Sequence, residues 1–395
     1  MLPKKSLAWG RSKSCIRELA AYGTQRKAEI GAENVYDFSI GNPSVPAPAE
    51  LDKAIYEVLA ENSSTVVHGY TAAVGLPSLR KAIADDLNKR YDANVDPNLI
   101  YVTCGAAAGL VASTHGLVCE GEEVIAFAPF FPEYRVFTES AGGKLVAVPP
   151  KADLQPDFEA FEKTINEKTK LVIINSPNNP SGVILTVESI EKLCAILRAA
   201  EEKYGHPIFV VADEPYRELV YDGSEVPCIH KYYKNSIICY SWSKSLSVPG
   251  ERIGYLAVNS AMEDKELVFA SLAGAARGCG YVNPPSMMQR VIEKCIGLTS
   301  DVSEYKKNRD LLYDGLKALN FDCVRPDGAF YLFVKTPVAD AKEFSEQAKK
   351  YELLLVPSDD FGVPGYVRLA YCVSAETIKN SMPAFEKLAK EYGLI

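Results

Sequence analysis

The sequence predicts an α/β protein with a large domain on a mostly parallel, seven-stranded sheet covered by helices, plus a smaller α+β lobe. Three observations carry that expectation. Between about residues 75 and 260, short apolar runs alternate with helix-like segments, the order that builds a parallel sheet between helical layers. The runs are continuously apolar, as strands buried on both faces are. After about residue 285 the texture changes to polar helices mixed with strands. The expected division is a large domain at 51–288, and a small domain made of 1–50, including an N-terminal arm, together with 289–395.

The elements follow in order. Helix-like "LPSLRKAIADDLNKRY" leads into the strand "NLIYVTCG". "AAAGLVASTHGLV" reads as a helix and "EEVIAFA" as a strand, then "PEYRVFTESAG" as a helix and "KLVAVP" as a strand. "FEAFEKTINEKT" precedes "KLVIINSP". The long amphipathic "VESIEKLCAILRAAEEKYG" precedes "PIFVVADE". "SIICYS" and "RIGYLAV" are then joined through a loop too short for a helix, so one of that pair runs antiparallel. In the last third, "VSEYKKNRDLLYDGLKALN" is a helix before "FDCVRPDGAFYLFVK". A further helix, a strand "LLLVP", a strand "YVRLAYC" and a closing helix complete the chain. "IGNPSVPAP" reads as a Gly/Pro-rich linker, with the segment before it packing on the C-terminal lobe.

Composition narrows the function. The chain has 395 residues, 47% hydrophobic and 24% charged, with net charge −8. That is enough to bury a large core, and the negative balance argues against a nucleic-acid partner. A basic cluster from Lys4 to Arg17 reads as a solvated arm. Ten cysteines contain no C-x-x-C pair, which points to reduced thiols in a cytoplasmic protein. Four histidines stand far apart, so a zinc site or a Ser-His-Asp triad is poorly supplied, although His68 or His115 could serve singly. No signal peptide and no membrane-spanning run is expected.

In open α/β sheets, ligands bind at the carboxyl ends of the strands. Those ends carry Gly105-Ala106-Ala107, then Phe131, then Asn179 in "SPNNPSG", then Asp213 and Tyr216, then Ser241, Ser243 and Lys244. Each alone is commonplace: a helix start, a core ring, a turn, a cap, a surface amine. Together, in order, they match the needs of a phosphorylated pyridine aldehyde. Lys244 is the amine for its Schiff base. Asp213 keeps the ring nitrogen protonated. Phe131, with Phe130 as the adjacent alternative, covers the ring face. Asn179 and Tyr216 donate to the ring oxygen. The Gly105-Ala106-Ala107 turn, Arg252, Ser241 and Ser243 take the phosphate.

The ordered set "SPNNPSG", "VADEPY", "SWSK…GERIGY" and "VRLAY" resembles the class I aminotransferases of the pyridoxal-phosphate fold type I superfamily. Lys244 stands 31 residues after Asp213, with Arg252 eight residues further, which is the family's spacing. "PDGAFYLF" is also family-like, and the likeness runs from "FSIGNPS" to the last helix. The resemblance implies an enzyme that moves an amino group between an L-amino acid and a 2-oxo acid by ping-pong transamination, with pyridoxal 5'-phosphate as cofactor. Lys244 would bond the cofactor covalently, and Lys244, Asp213 and Tyr216 would carry catalysis. Arg368 would grip the substrate α-carboxylate in a bidentate fork, with Gly41 and Asn179 beside it. Tyr70 would reach the phosphate of a neighbouring subunit, making the active unit a homodimer with sites at the interface. Ala107 stands where the family often has Ser or Thr, and Phe131 where it often has Trp or Tyr.

The substrate is less defined. Dicarboxylate-specific relatives place an Arg five residues before the Asn of an "NPP" segment. Here that count from Asn283 lands on Gly278, with Arg277 one residue away. Acidic, aromatic and alanine-type donors all stay open. The alternatives are a β-lyase or an amino-acid decarboxylase on the same residues. A nicotinamide oxidoreductase lacks its glycine fingerprint here. A cofactor-binding regulator would need a DNA-binding module for which the first fifty residues leave little room.

Overall fold

The structure is a computed structural model, and it describes residues 2–11 and 14–395. Its larger sheet has seven strands. Across the sheet they run Ile100–Thr103, Gly254–Val258, Ser236–Ser241, Phe209–Asp213, Thr169–Asn175, Glu123–Phe127, Lys144–Val148. All neighbours pair parallel except Gly254–Val258, which is antiparallel to both strands beside it.

Successive residues of these strands enter two different cores. Ile125, Val172, Ile174, Val210 and Ile238 face one, while Val124, Leu171, Ile173, Val211 and Ile237 face the other. This is the period-two geometry of a strand with both sides covered. Val187–Tyr204 illustrates the covering helices. Thr186 Oγ1 accepts from the Ser189 amide, and Gly205 ends the helix in the left-handed region at φ +71°. Both ends are therefore capped. Its buried face presents Ile190, Leu193 and Leu197, each worth about 2 kcal/mol of apolar burial.

A second, antiparallel sheet orders Val356–Pro357, Tyr366–Ala370, Tyr331–Lys335 and Asp322–Cys323. Its core includes Phe38, Leu312, Leu332, Leu369 and Phe385. The expected single strand "LLLVP" is divided. Leu353–Leu354 pairs in parallel with Tyr36–Asp37, whereas Val356–Pro357 pairs with the strand of Arg368. Between them the Leu355 carbonyl accepts from Ser345 Oγ at 2.6 Å, so the chain changes neighbours there. The N-terminal segment packs on this body through Leu19 against Leu354 and Val356. Arg26 adds an ion pair to Glu352 at 2.6 Å.

Other expectations are corrected. The basic N-terminus is not simply a solvated arm: Lys4–Arg11 and Cys15–Ile30 are helical. Trp9 Nε1 donates to Glu139 and Arg17 approaches Glu133 at 3.6 Å, because acidic side chains on Glu133–Ser140 meet the basic run. Ser12 and Lys13 of that cluster lie outside the described residues. The loop judged too short for a helix holds one helical turn, Trp242–Ser245. The sequence reading assigns nothing between 259 and 301, yet two helices stand there, Lys265–Gly278 and Ser286–Cys295. The second crosses the expected boundary at 288 and buries Val291 and Ile292 in the larger core. Among the described residues, no helix is long and apolar enough to cross a membrane.

Candidate active site

Lys244 and Asp213 come from adjacent parallel strand ends of the large sheet. Both line a cavity of about 300 Å³, a size suited to a small molecule. The Lys244 turn is anchored by its neighbours: Trp242 packs on Tyr240 and Tyr255, and the Tyr240 and Ser245 hydroxyls lie 2.8 Å apart. Lys244 Nζ donates to the Gly41 carbonyl at 2.7 Å. Burial lowers its pKa to about 8; Cys372 opposes this, while the Arg368 and Arg252 cations add to it. A buried amine near neutrality is a nucleophile and a base.

Asp213 is held by two hydrogen bonds. Its carbonyl accepts from Asn175 Nδ2 at 2.7 Å, and its Oδ2 accepts from the Tyr134 hydroxyl at 2.5 Å. Its Oδ1 is buried with no hydrogen-bond partner. Burial pushes the carboxyl up to about 7, with the Tyr134 bond pulling the other way. A buried carboxylate oxygen without a donor calls for a cationic or proton-bearing group in the cavity.

At the far end, Gly105 precedes the helix Ala106–Leu117 with φ +81°. A Cβ at Gly105 would sit 2.7 Å from Arg252 Nη2 and 3.0 Å from its Cζ, so only glycine lets the guanidinium lie against this turn. Arg252 is itself in the left-handed region at φ +52°, with Nη1 donating to the Pro249 carbonyl at 2.9 Å. Ala106, Ala107, Ser241 and Ser243 line the same end. A helix N-terminus, hydroxyls and an arginine make an anion site.

The opposite wall comes from the small sheet. Arg368 is 2% exposed. Its Nη1 donates to Asn179 Oδ1 at 3.2 Å and its Nη2 to the Ser39 carbonyl at 2.6 Å, while Nε has no partner. Because Asn179 Oδ1 is engaged, the amide turns its Nδ2 donors elsewhere. Tyr216 and Tyr331 share a hydroxyl contact of 3.0 Å. The Tyr331 ring lies 4.7 Å from the Arg368 guanidinium carbon.

Comparison with known proteins decides the family. The family described as aminotransferase class I and II matches residues 33–385. The chain belongs to that family. It is 31% identical over 385 residues to a probable aspartate aminotransferase of Methanocaldococcus jannaschii, covering 95% of this chain and 96% of that one. An aminotransferase structure from Eubacterium rectale superposes with TM-score 0.97 at 49% identity, covering 99% of both chains. The Thermus thermophilus aspartate aminotransferase solved with maleate gives TM-score 0.87 at 25% identity, over 98% of this chain and 99% of that one.

In this aminotransferase the cavity gathers Gly41, Ala106, Ala107, Phe131, Asn179, Asp213, Tyr216, Ser241, Ser243, Lys244, Arg252 and Arg368. Phe131 is at the cavity, whereas Phe130 is 1% exposed within the core. Tyr70 is 97% exposed and outside it. Neither His68 nor His115 reaches it: His68 is exposed and His115 meets the Ser140 hydroxyl at 3.0 Å. Arg277 is likewise exposed and outside. Sequence reasoning passed over Tyr134, Asn175, Tyr331 and Ile16. Tyr134 and Asn175 sat in quoted segments, at a helix start and a strand end, and asking what would hold Asp213 could have found them. Ile16 reaches the cavity from the N-terminal helix, and no local signal marks it.

Proposed function

We propose that this aminotransferase binds pyridoxal 5'-phosphate in the cavity and moves an amino group from an L-amino acid to a 2-oxo acid by ping-pong transfer. The observation that carries the reading is that Lys244 and Asp213, whose Oδ1 has no hydrogen-bond partner, line one cavity. The residues present suit the group. Arg252, Ser241, Ser243 and the amides of Ala106 and Ala107 suit its phosphate. Phe131 suits its ring face, and Asn179 Nδ2 and the Tyr216 hydroxyl suit its ring oxygen. Gly105 shapes the turn beneath the phosphate end.

When bound, the coenzyme supplies an aldehyde that bonds to amines and a conjugated ring that spreads the electron pair left at the substrate Cα. The protein does the rest. Lys244 Nζ would be the amine that bonds the coenzyme aldehyde and, when free, the general base that would hold and move the substrate Cα proton. Asp213 Oδ1, buried without a partner, would hold a proton on the ring nitrogen, while Tyr134 fixes the carboxylate through Oδ2. Two of the five N–H groups of Arg368 are engaged, and the remainder grip the substrate α-carboxylate. Asn179 and Gly41 border that carboxylate.

Tyr70 serves the phosphate of a second copy, so the active unit is a homodimer. Its 97% exposure supports this, as do exposed Tyr56, Leu59 and Val66 on the nearby helices Ala49–Glu61 and Ser64–His68. The two cores act as two domains, with Ser286–Cys295 belonging to the larger one. Ten free cysteines suit a cytoplasmic location.

The test is a half-reaction screen. Protein loaded with the coenzyme is mixed with single amino acids, and the visible band is followed together with the 2-oxo acid and ammonia. Loss of the band with a stoichiometric 2-oxo acid and no free ammonia supports transfer. Ammonia or carbon dioxide as the main product would replace it with lyase or decarboxylase chemistry. The relatives' names make aspartate and aromatic amino acids the first donors to try.

A further inference from the structure

Tyr331 stands where the two walls of the cavity meet. It is 3% exposed, opens the strand Tyr331–Lys335 and lines the cavity. Three contacts converge on it. Its ring lies under the Arg368 guanidinium. Its hydroxyl meets that of Tyr216 at 3.0 Å. Gly41 passes so close that any Cβ there would overlap the same hydroxyl.

Each phenol carries a single proton. Burial keeps both phenols neutral, with Tyr331 pushed up to about 12 and Tyr216 held well above its ordinary value. One O–H therefore fills the contact between them, and the other points away. If Tyr216 donates to Tyr331, it has nothing left for a ligand oxygen. If Tyr331 donates to Tyr216, the Tyr216 proton is free for the cavity. Gly41 crowds the Tyr331 hydroxyl, which makes no hydrogen bond except with Tyr216 among the described residues.

We propose that Tyr331 is a positioning residue with two separable jobs. Its ring supports Arg368, and its hydroxyl donates to Tyr216 Oη, which leaves the Tyr216 proton to the cavity and, by polarising that O–H, strengthens it as a donor there. The inference rests on the roles assigned above to Tyr216 and Arg368. It ties substrate recognition to the tuning of the coenzyme through one side chain.

The experiment uses the coenzyme-loaded enzyme with Tyr331→Phe and Tyr331→Leu. Tyr331→Phe keeps the ring, so KM for the amino acid stays within about twofold, while kcat falls about tenfold through one lost hydrogen bond. The pH midpoint of the visible band rises by about half a unit or more. The sign follows from the donor: a proton given to the ring oxygen withdraws electron density and makes the nitrogen joined to Lys244 less basic. In a Tyr216→Phe background, Tyr331→Phe adds no further shift, because the hydroxyl acts through Tyr216. Tyr331→Leu also removes the ring, and its KM rises about tenfold above that of Tyr331→Phe.

An unchanged kcat and band midpoint in Tyr331→Phe overturns the hydroxyl role. So does a full extra shift in the Tyr216→Phe background. A Tyr331→Leu enzyme with the KM of Tyr331→Phe overturns the ring role. By contrast, a wild-type protein that forms no visible band overturns the functional reading underneath.

Discussion

The wall of the cavity on the large sheet and the wall that carries Arg368 draw on the chain in different ways. On the first, Gly105, Asn179, Asp213 and Lys244 each stand at or just beyond the end of one strand of a single continuous sheet. On the second, Arg368 is held by Asn179 and by Ser39, 189 and 329 positions away in sequence. Gly41, which receives the Lys244 proton donor, lies 203 positions from it. The first wall is carried by one sheet, whereas the second also needs the N-terminal segment and the small sheet. On the proposed function this is a division of labour: bond chemistry would rest on the sheet wall and recognition on the wall of Arg368.

Four substitutions and one titration break or sharpen that division. The largest effect belongs to the sheet wall. Lys244→Ala should abolish the visible band of the bound coenzyme and lower turnover by about 10⁴-fold or more; near-normal turnover breaks the assignment outright. Asp213→Asn comes next, with kcat falling about 10³-fold and KM changing far less. Steady-state kinetics with one good donor would show this, and a loss confined to KM would move Asp213 to the recognition wall. Arg368→Lys tests the docked wall. A point charge cannot copy the fork, so kcat/KM should fall about 10²-fold with most of the loss in KM, while coenzyme binding in the absence of substrate is unchanged. A weakened coenzyme band there would mean that the two walls are not separable.

Smaller effects refine the picture. Phe131→Leu should weaken coenzyme affinity about tenfold through the lost ring contact, read by equilibrium titration of the coenzyme-free protein. Wild-type affinity in the variant would leave the ring face covered by something else. The titration concerns Lys244, whose pKa in the coenzyme-free protein is lowered to about 8 by burial. Below that pH the amine is protonated and cannot attack an aldehyde. The rate of coenzyme uptake should therefore rise with pH and level off above about 8. A rate still climbing steeply beyond pH 10 would mark an ordinary solvated lysine.

The sheet wall was legible in the sequence because each of its residues lies one to four positions beyond an apolar run. The run itself announces the strand, and the strand end announces the site. "VVADEPY" shows this: Asp213 and Tyr216 could be placed without coordinates. The docked wall was legible only through the likeness of "VRLAY" to a family segment. Periodicity placed Arg368 on a strand but could not say which side of the molecule that strand faces. Tyr134 shows a subtler limit. It lies in a helix that the sequence predicts, yet its bond to Asp213 spans 79 positions and leaves no trace in local pattern.

By itself the sequence determined the alternating architecture, the antiparallel strand near Lys244 and the set of groups at the strand ends. Those depend on burial periodicity and chain order, which are local properties. The tertiary structure alone decided which Asp213 oxygen is free, which phenylalanine meets the cavity and how Tyr331 joins Arg368 to Tyr216. Each depends on the packing of segments remote in the chain, where a rotation of one side chain or a step of one residue exchanges a buried group for an exposed one.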